Sequence, residues 1–106
     1  MHVVVAYDVR DDRTRERLRR LLWRHGLSPI SKSVYAGRLS WDKALRLASR
    51  ASEILGPSDS LVVIPVQDSD FKRAVTATRL LVQRRGSSEV VVIDGGLGDK
   101  GSRQGS

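Results

Sequence analysis

Asp8 stands at the end of a run of β-branched and apolar residues, His2–Tyr7 (HVVVAY). As a strand, this run puts Val4, Ala6 and Asp8 on one face and Val3, Val5 and Tyr7 on the other. A carboxylate at the end of a buried strand, beside backbone carbonyls, suits Mg²⁺, which accepts one or two protein carboxylates and keeps its waters. The same aspartate serves equally well as a loop group that accepts backbone N–H bonds or helps to cap the next helix. One carboxylate is not an active site, but in a symmetric homodimer two copies of Asp8 would supply a pair.

A dense set of cations follows Asp8. Arg13, Arg15, Arg17, Arg19, Arg20 and Arg24 lie within twelve residues. On a 3.6-residue period Arg13, Arg17, Arg20 and Arg24 form one outward stripe, and Arg15 and Arg19 flank the buried one. Such a stripe can track a phosphate backbone without reading bases. Its alternative is a solvated face, with Glu16 offsetting part of the charge.

Composition points the same way. Nineteen Lys and Arg against twelve Asp and Glu give +7, with a pI near 10.8. Fifteen of the nineteen are arginine, whose planar fork contacts phosphate in two places at once. Residues 1–56 carry twelve basic and six acidic side chains, so the excess is concentrated there. A polyanionic partner, most simply nucleic acid, is expected.

Other classes are excluded. The 106 residues are too few for a site set between two large domains. Five aromatic residues (Tyr7, Trp23, Tyr35, Trp41 and Phe71) argue against a domain that reads bases by stacking on several rings. The absence of cysteine removes disulfide scaffolds, zinc ribbons and thiol nucleophiles. Two histidines, His2 and His25, do not suggest a histidine-rich metal site. No apolar run approaches the roughly 20 residues that span a bilayer. With no signal peptide apparent, a cytoplasmic protein without membrane contact is expected.

The elements that must position these residues are readable in order. After the first strand, Asp11 or Asp12 caps a helix whose buried stripe is Leu18, Leu21, Leu22 and His25, and Gly26 ends it. Leu27–Ile30 and Ser33–Leu39 are extended pieces. Ser40 caps a helix over roughly Trp41–Leu55, with Leu45, Ala48 and Leu55 towards the core. Leu61–Val66 is a strand that Pro65 confines to an edge or bulge. The spacing of Phe71, Ala74, Val75, Thr78 and Val82 predicts a helix over 70–85. Glu89–Ile93 is the last strand. The Gly/Ser-rich segment 94–106 is expected to be a disordered tail after one domain over 1–93. Its GGLGDKG stretch precedes no helix and is no phosphate loop.

Two strands within 27–39 make a βαββαβ order with an extra helix and strand. That is a ferredoxin-like α+β sandwich in the broad α/β class, with an antiparallel sheet covered on one face. One strand there would instead make a doubly wound, flavodoxin-like fold. Pro29 and the polar Ser31-Lys32-Ser33 favour two. The uncovered sheet face makes a homodimer plausible.

The stretch VVVAYDVRDDRTRERLRRLL, followed by GLSPISKSVYAGRLS, a helix and SLVVIPV, resembles the small CRISPR-associated endonuclease family, the second Cas protein. The matching pieces are Tyr7-Asp8, Asp11-Asp12, Arg15 and Arg17, Gly26-Leu27, and Ser33-Val34-Tyr35-Ala36-Gly37. They fall within residues 2–66. The resemblance implies a homodimer with facing sheets, and a metal-dependent endonuclease acting on RNA or double-stranded DNA. It also implies a place in spacer acquisition beside the spacer-integrase subunit. Asp8 matches the family's Mg²⁺ ligand, one from each subunit. Arg15, Arg17 and Tyr35 match its substrate contacts, with Tyr7 and Arg13 beside them. Where relatives carry a basic residue after Gly-Leu this chain has Ser28-Pro29, and Lys32 is the nearest substitute. A non-catalytic DNA-binding scaffold uses the same arginines but leaves Asp8 structural. A receiver-like domain with Asp8, Asp11 and Asp12 in one acidic pocket would require a parallel sheet.

Overall fold

The computed structural model describes residues 1–79, 81–84 and 90–92. The order is β1 (His2–Asp8), α1 (Asp12–Arg24), β2 (Ser28–Ser31), β3 (Val34–Arg38), α2 (Trp41–Ile54), β4 (Ser60–Val66), α3 (Asp68–Lys72), β5 (Val75–Ala77), β6 (Leu81–Arg84) and β7 (Val90–Val92). The sequence suggested one domain over 1–93. By contact the chain falls into two compact units, Met1–Gln67 and Asp68–Ser106. The expected tail, 94–106, lies outside the described residues, as do Glu89 and Ile93.

The first unit is a ferredoxin-like βαββαβ sandwich. Its sheet has the order β2-β3-β1-β4, and every neighbouring pair is antiparallel. The antiparallel pairing rules out the doubly wound alternative and the receiver-like site that depended on it. Pro65 sits on the edge strand β4, where a missing N–H costs no ladder bond. Pro29 sits on the other edge, in β2, beside a register shift between Pro29 and Ser31.

Helix α1 starts where the Asp11 carboxylate accepts from the Thr14 backbone N–H (2.8 Å) and hydroxyl (3.0 Å). It ends in a Schellman motif. Gly26 (φ +80°) donates to Trp23 O at 2.9 Å, and Leu27 donates to Leu22 O at 3.1 Å. At Gly37 a Cβ would lie 2.9 Å from Leu27 Cδ2 and 3.0 Å from Gly26 O, so a side chain there would force its neighbours to shift. This close approach seats the end of α1 on β3.

The core lies between the sheet and the two helices. Val3, Val5 and Tyr7 meet Leu18, Leu21, Leu22, Leu27, Tyr35, Leu47 and Ala51. On α2 the buried residues are Ala44, Leu47 and Ala51, not the expected Leu45 and Ala48. Leu45 is exposed, while Leu55 packs against the core only in part. Both triplets have helical spacing. The alanines on either side of Leu47 let this face approach the sheet and α1 more closely.

The expected helix over 70–85 is not formed. Helix α3 stops at Lys72 with no buried residue, and Phe71 is only half-buried rather than core. Val75–Ala77 pairs with β6 through Val75↔Arg84, Thr76↔Gln83 and Ala77↔Val82, and β6 pairs with β7. The β-branched Val75 and Thr76 lose side-chain freedom in a helix and fit a pleated strand. The expected last strand is present as Val90–Val92, the edge of this three-stranded sheet.

Candidate functional site

Asp8 ends β1 opposite Ser60 of β4, and its side chain is exposed. Strand alternation works as expected: Val3, Val5 and Tyr7 face the helices. Asp8 therefore lies on the other face, with Val4 and Ala6. The register adds Ile64 and Ala36 beside Val4, and Val62 and Val34 beside Ala6. No helix of this unit covers that face, and Val62 and Ile64 are about half exposed.

The loop after Asp8 is held by its own side chains. Asp11 caps α1, which lowers its carboxyl below the usual value mainly through the Thr14 backbone hydrogen bond. Arg15 Nη1 donates to Val9 O at 2.8 Å and to Arg10 O at 3.3 Å, and Nη2 pairs with Asp12. Asp11 and Asp12 thus have structural partners, and the capping role open to Asp8 is taken by Asp11. Arg15 is partly buried and anchors the loop, while Arg13 and Arg17 stand exposed on the outward stripe.

Tyr7 and Tyr35 are buried under α1, with ring centroids 6.2 Å apart and tilted by 42°. The Tyr7 hydroxyl donates to Lys32 O at 3.1 Å, tying β1 to the β2–β3 turn. Burial pushes the Tyr35 phenol above its ordinary range, and the nearby Tyr7 adds to the shift. Hydrogen bonding to Tyr7 raises Arg19 further. The Lys32 side chain is exposed at the turn. The structure therefore joins Tyr7, Tyr35 and the Lys32 backbone in one internal cluster. Asp8 is on the opposite face of the sheet from both rings.

Arg17, Arg20 and Arg24 of α1 line a groove with Arg50 and Glu53 of α2. The sequence argument missed Arg50. Its signal was weak: Arg46 and Arg50 stand four apart on α2, one turn, among residues that otherwise read as core spacing. Among the described residues no three His, Asp or Glu side chains cluster as a metal site. At the end of β1 one chain thus offers a hard cation the exposed Asp8 carboxylate, half of a site in the sense that Mg²⁺ uses one or two.

Residues 1–74 match the family model described as CRISPR associated protein Cas2. The chain belongs to the Cas2 family. It is 46% identical over 74 residues to the CRISPR-associated endoribonuclease Cas2 of Thermofilum pendens, spanning 70% of this chain and 80% of that protein. It is 33% identical over 73 residues to the protein of the same name in Korarchaeum cryptofilum, covering 68% and 78%. Among solved structures, hypothetical protein TT1823 of Thermus thermophilus superposes with a TM-score of 0.58 at 28% identity, covering 73% of this chain and 87% of that one. A crystal structure of Cas2 gives 0.57 at 23% identity, covering 87% and 98%, which supports the shared fold. The Cas2 match thus takes in the whole βαββαβ unit, with Asp8, the α1 arginines, Lys32 and Tyr35.

Proposed function

We propose that this Cas2-family protein is a metal-dependent endonuclease that hydrolyses phosphodiester bonds of RNA or double-stranded DNA. In this proposal it works as a homodimer in CRISPR spacer acquisition, beside the spacer-integrase subunit. The observation that carries it is the placement of Asp8, an exposed carboxylate at a strand end whose two acidic neighbours are consumed by the loop. The relatives named endoribonucleases support the reaction class.

Two copies packed through the uncovered sheet face would each contribute one Asp8, and those two carboxylates would hold Mg²⁺. When bound, the cation supplies Lewis-acid polarisation of the phosphate and a more acidic water for attack. Arg13 and Arg17 neutralise and position flanking phosphates from the exposed stripe. Arg15 keeps the Asp8 loop in place through Val9 O, Arg10 O and Asp12. Lys32 contributes a point charge at the turn. Tyr7 and Tyr35 act from inside, by fixing β1 against β3 and the turn.

The scaffold reading has one observation in its favour: no three-donor metal cluster exists among the described residues of a single chain. Wild type and Asp8→Ala, purified identically, separate the two. Each is given labelled RNA and duplex DNA, with Mg²⁺ or with a chelator, and binding is followed beside cleavage. The nuclease predicts metal-dependent cleavage that Asp8→Ala lowers by about 100-fold or more at near-equal binding. Equal binding with no cutting by either protein, or equal cutting by both, leaves the scaffold.

A further inference from the structure

Glu16, Arg19, Arg20 and Trp23 recur on α1 at i, i+3, i+4 and i+7, so they share one face beside the buried stripe. On the sheet side, Pro29 of the edge strand β2 stands opposite Tyr35 of β3. These six residues line a hollow of about 400 Å³. Tyr35 is buried, whereas Trp23 is 74% exposed. Pro29 and its chain neighbour Ile30 are exposed as well.

The lining is apolar at Trp23 and Pro29 and cationic at Arg19 and Arg20. Glu16 places one carboxylate oxygen 3.6 Å from Arg19 Nη1 and the other 3.6 Å from Arg20 Nε. One carboxylate thus faces two guanidiniums, and long ion pairs at exposed positions contribute little. The hollow keeps a positive charge that a further carboxylate can meet. Tryptophan, tyrosine and arginine are also the residue types on which binding energy concentrates at protein interfaces.

The surroundings narrow the occupant. A second copy of this chain carries +7 and the same arginines, so like charges oppose self-association through this face. Pro29 has no N–H to donate, and the register shifts between Pro29 and Ser31, so β2 is a poor template for strand addition. The occupant therefore docks by its side chains. A nucleic-acid backbone would use the arginines and leave Trp23, Pro29 and Ile30 uncovered.

We propose that this hollow is a docking site for an acidic peptide segment of a partner protein. The segment seats one large apolar side chain between Trp23 and Pro29 and sets flanking carboxylates against Arg19 and Arg20. The volume is at the small end of ligand-sized hollows and suits one such anchor. The site is independent of the nuclease reading and uses none of Asp8, Arg13 and Arg17.

The test uses the full chain carrying Trp41→Phe, which leaves Trp23 as its only tryptophan. Short labelled peptides with a central phenylalanine or leucine between aspartates and glutamates are titrated by anisotropy, and Trp23 emission is read in the same samples. The docking site predicts saturable binding, with a blue shift of Trp23 emission at the same midpoint. Changing the central peptide residue to alanine, or the acidic flanks to serine, weakens binding by about tenfold or more. Trp23→Ala, with Trp41 intact, weakens it as much at an unchanged melting temperature, and Trp23→Phe recovers part of the loss. Arg19→Gln/Arg20→Gln removes the preference for acidic over serine flanks. Equal binding of phenylalanine-centred and alanine-centred peptides, with Trp23 emission unmoved, shows only the attraction of an anion to a basic chain and overturns the site. Absence of saturable binding up to about 1 mM overturns it too. Single-stranded RNA that quenches Trp23 and is not displaced by the peptides assigns the hollow to an unpaired base, and the peptide site falls.

Discussion

Adjacent residues on β1 do opposite work. Asp8 faces out from the uncovered sheet face, whereas Tyr7 is buried with its hydroxyl on Lys32 O. Tyr7→Phe leaves that carbonyl without its donor and is expected to lower stability by about 1 kcal/mol, measured by urea unfolding, with nucleic-acid affinity unchanged. Tyr35 gives a pH signature. Its folded-state phenol is raised above 10.0 by burial, so the neutral form is favoured in the fold. Its contribution is complete below 10.0 and is lost as pH rises through the higher folded value. The urea midpoint should therefore fall above pH 10, and fall less in Tyr35→Phe. Asp11 has the opposite sign. Its carboxyl is lowered by the cap, so its contribution is present above the ordinary 3.8 and is lost as pH falls through the lower folded value. The melting temperatures of wild type and Asp11→Ala should differ at neutral pH and converge in acid. Asp8, Arg13 and Arg17 were legible from position alone, because a strand end and a helix stripe fix exposure locally. The inward role of Tyr7 and Tyr35 depends on which sheet face the helices cover.

At the scale of elements, the caps and stops were the most readable features. Asp11, Ser40 and Gly26 all act where their chemistry places them, since capping uses bonds within a few residues. The facing of α2 was not readable, because Leu45 and Leu47 belong to two stripes of equal periodicity. Leu47→Ala is expected to cost about 2–5 kcal/mol through the cavity it leaves. Leu45→Ala, at an exposed position, should stay within about 0.5 kcal/mol. Chemical denaturation of the pair checks which face is buried. Segment 70–85 misled for a related reason. Phe71, Ala74, Val75, Thr78 and Val82 have helical spacing, yet Val75–Ala77 gains more by pairing with β6. Pairing with a neighbouring strand in a hairpin outweighs the helical periodicity there.

For the whole molecule, the face of Val4, Ala6, Val34, Val62 and Ile64, which no helix of its own unit covers, sets the expected assembly. An apolar sheet face without a covering layer in its own unit favours a copy of itself across a two-fold axis. Ile64→Glu places a charge in that face. Sedimentation should show a dimer for wild type and a monomer for Ile64→Glu, with the melting temperature of the sandwich little changed. A monomeric wild type would remove the paired Asp8 carboxylates and with them the proposed Mg²⁺ site.

By itself the sequence favoured the βαββαβ order, confined Pro65 to an edge or bulge, and determined a cap at Asp11 or Asp12 for α1, the Ser40 cap of α2 and the outward arginine stripe. All of these follow from interactions between near neighbours or from simple alternation. Tertiary structure alone decided that Ala44, Leu47 and Ala51 face the core and that Tyr7 and Tyr35 pack as a pair. It also brought Trp23, Pro29 and Tyr35 together around one hollow. Those residues come from three elements, and only the packing of α1 against the antiparallel sheet brings their side chains into one place.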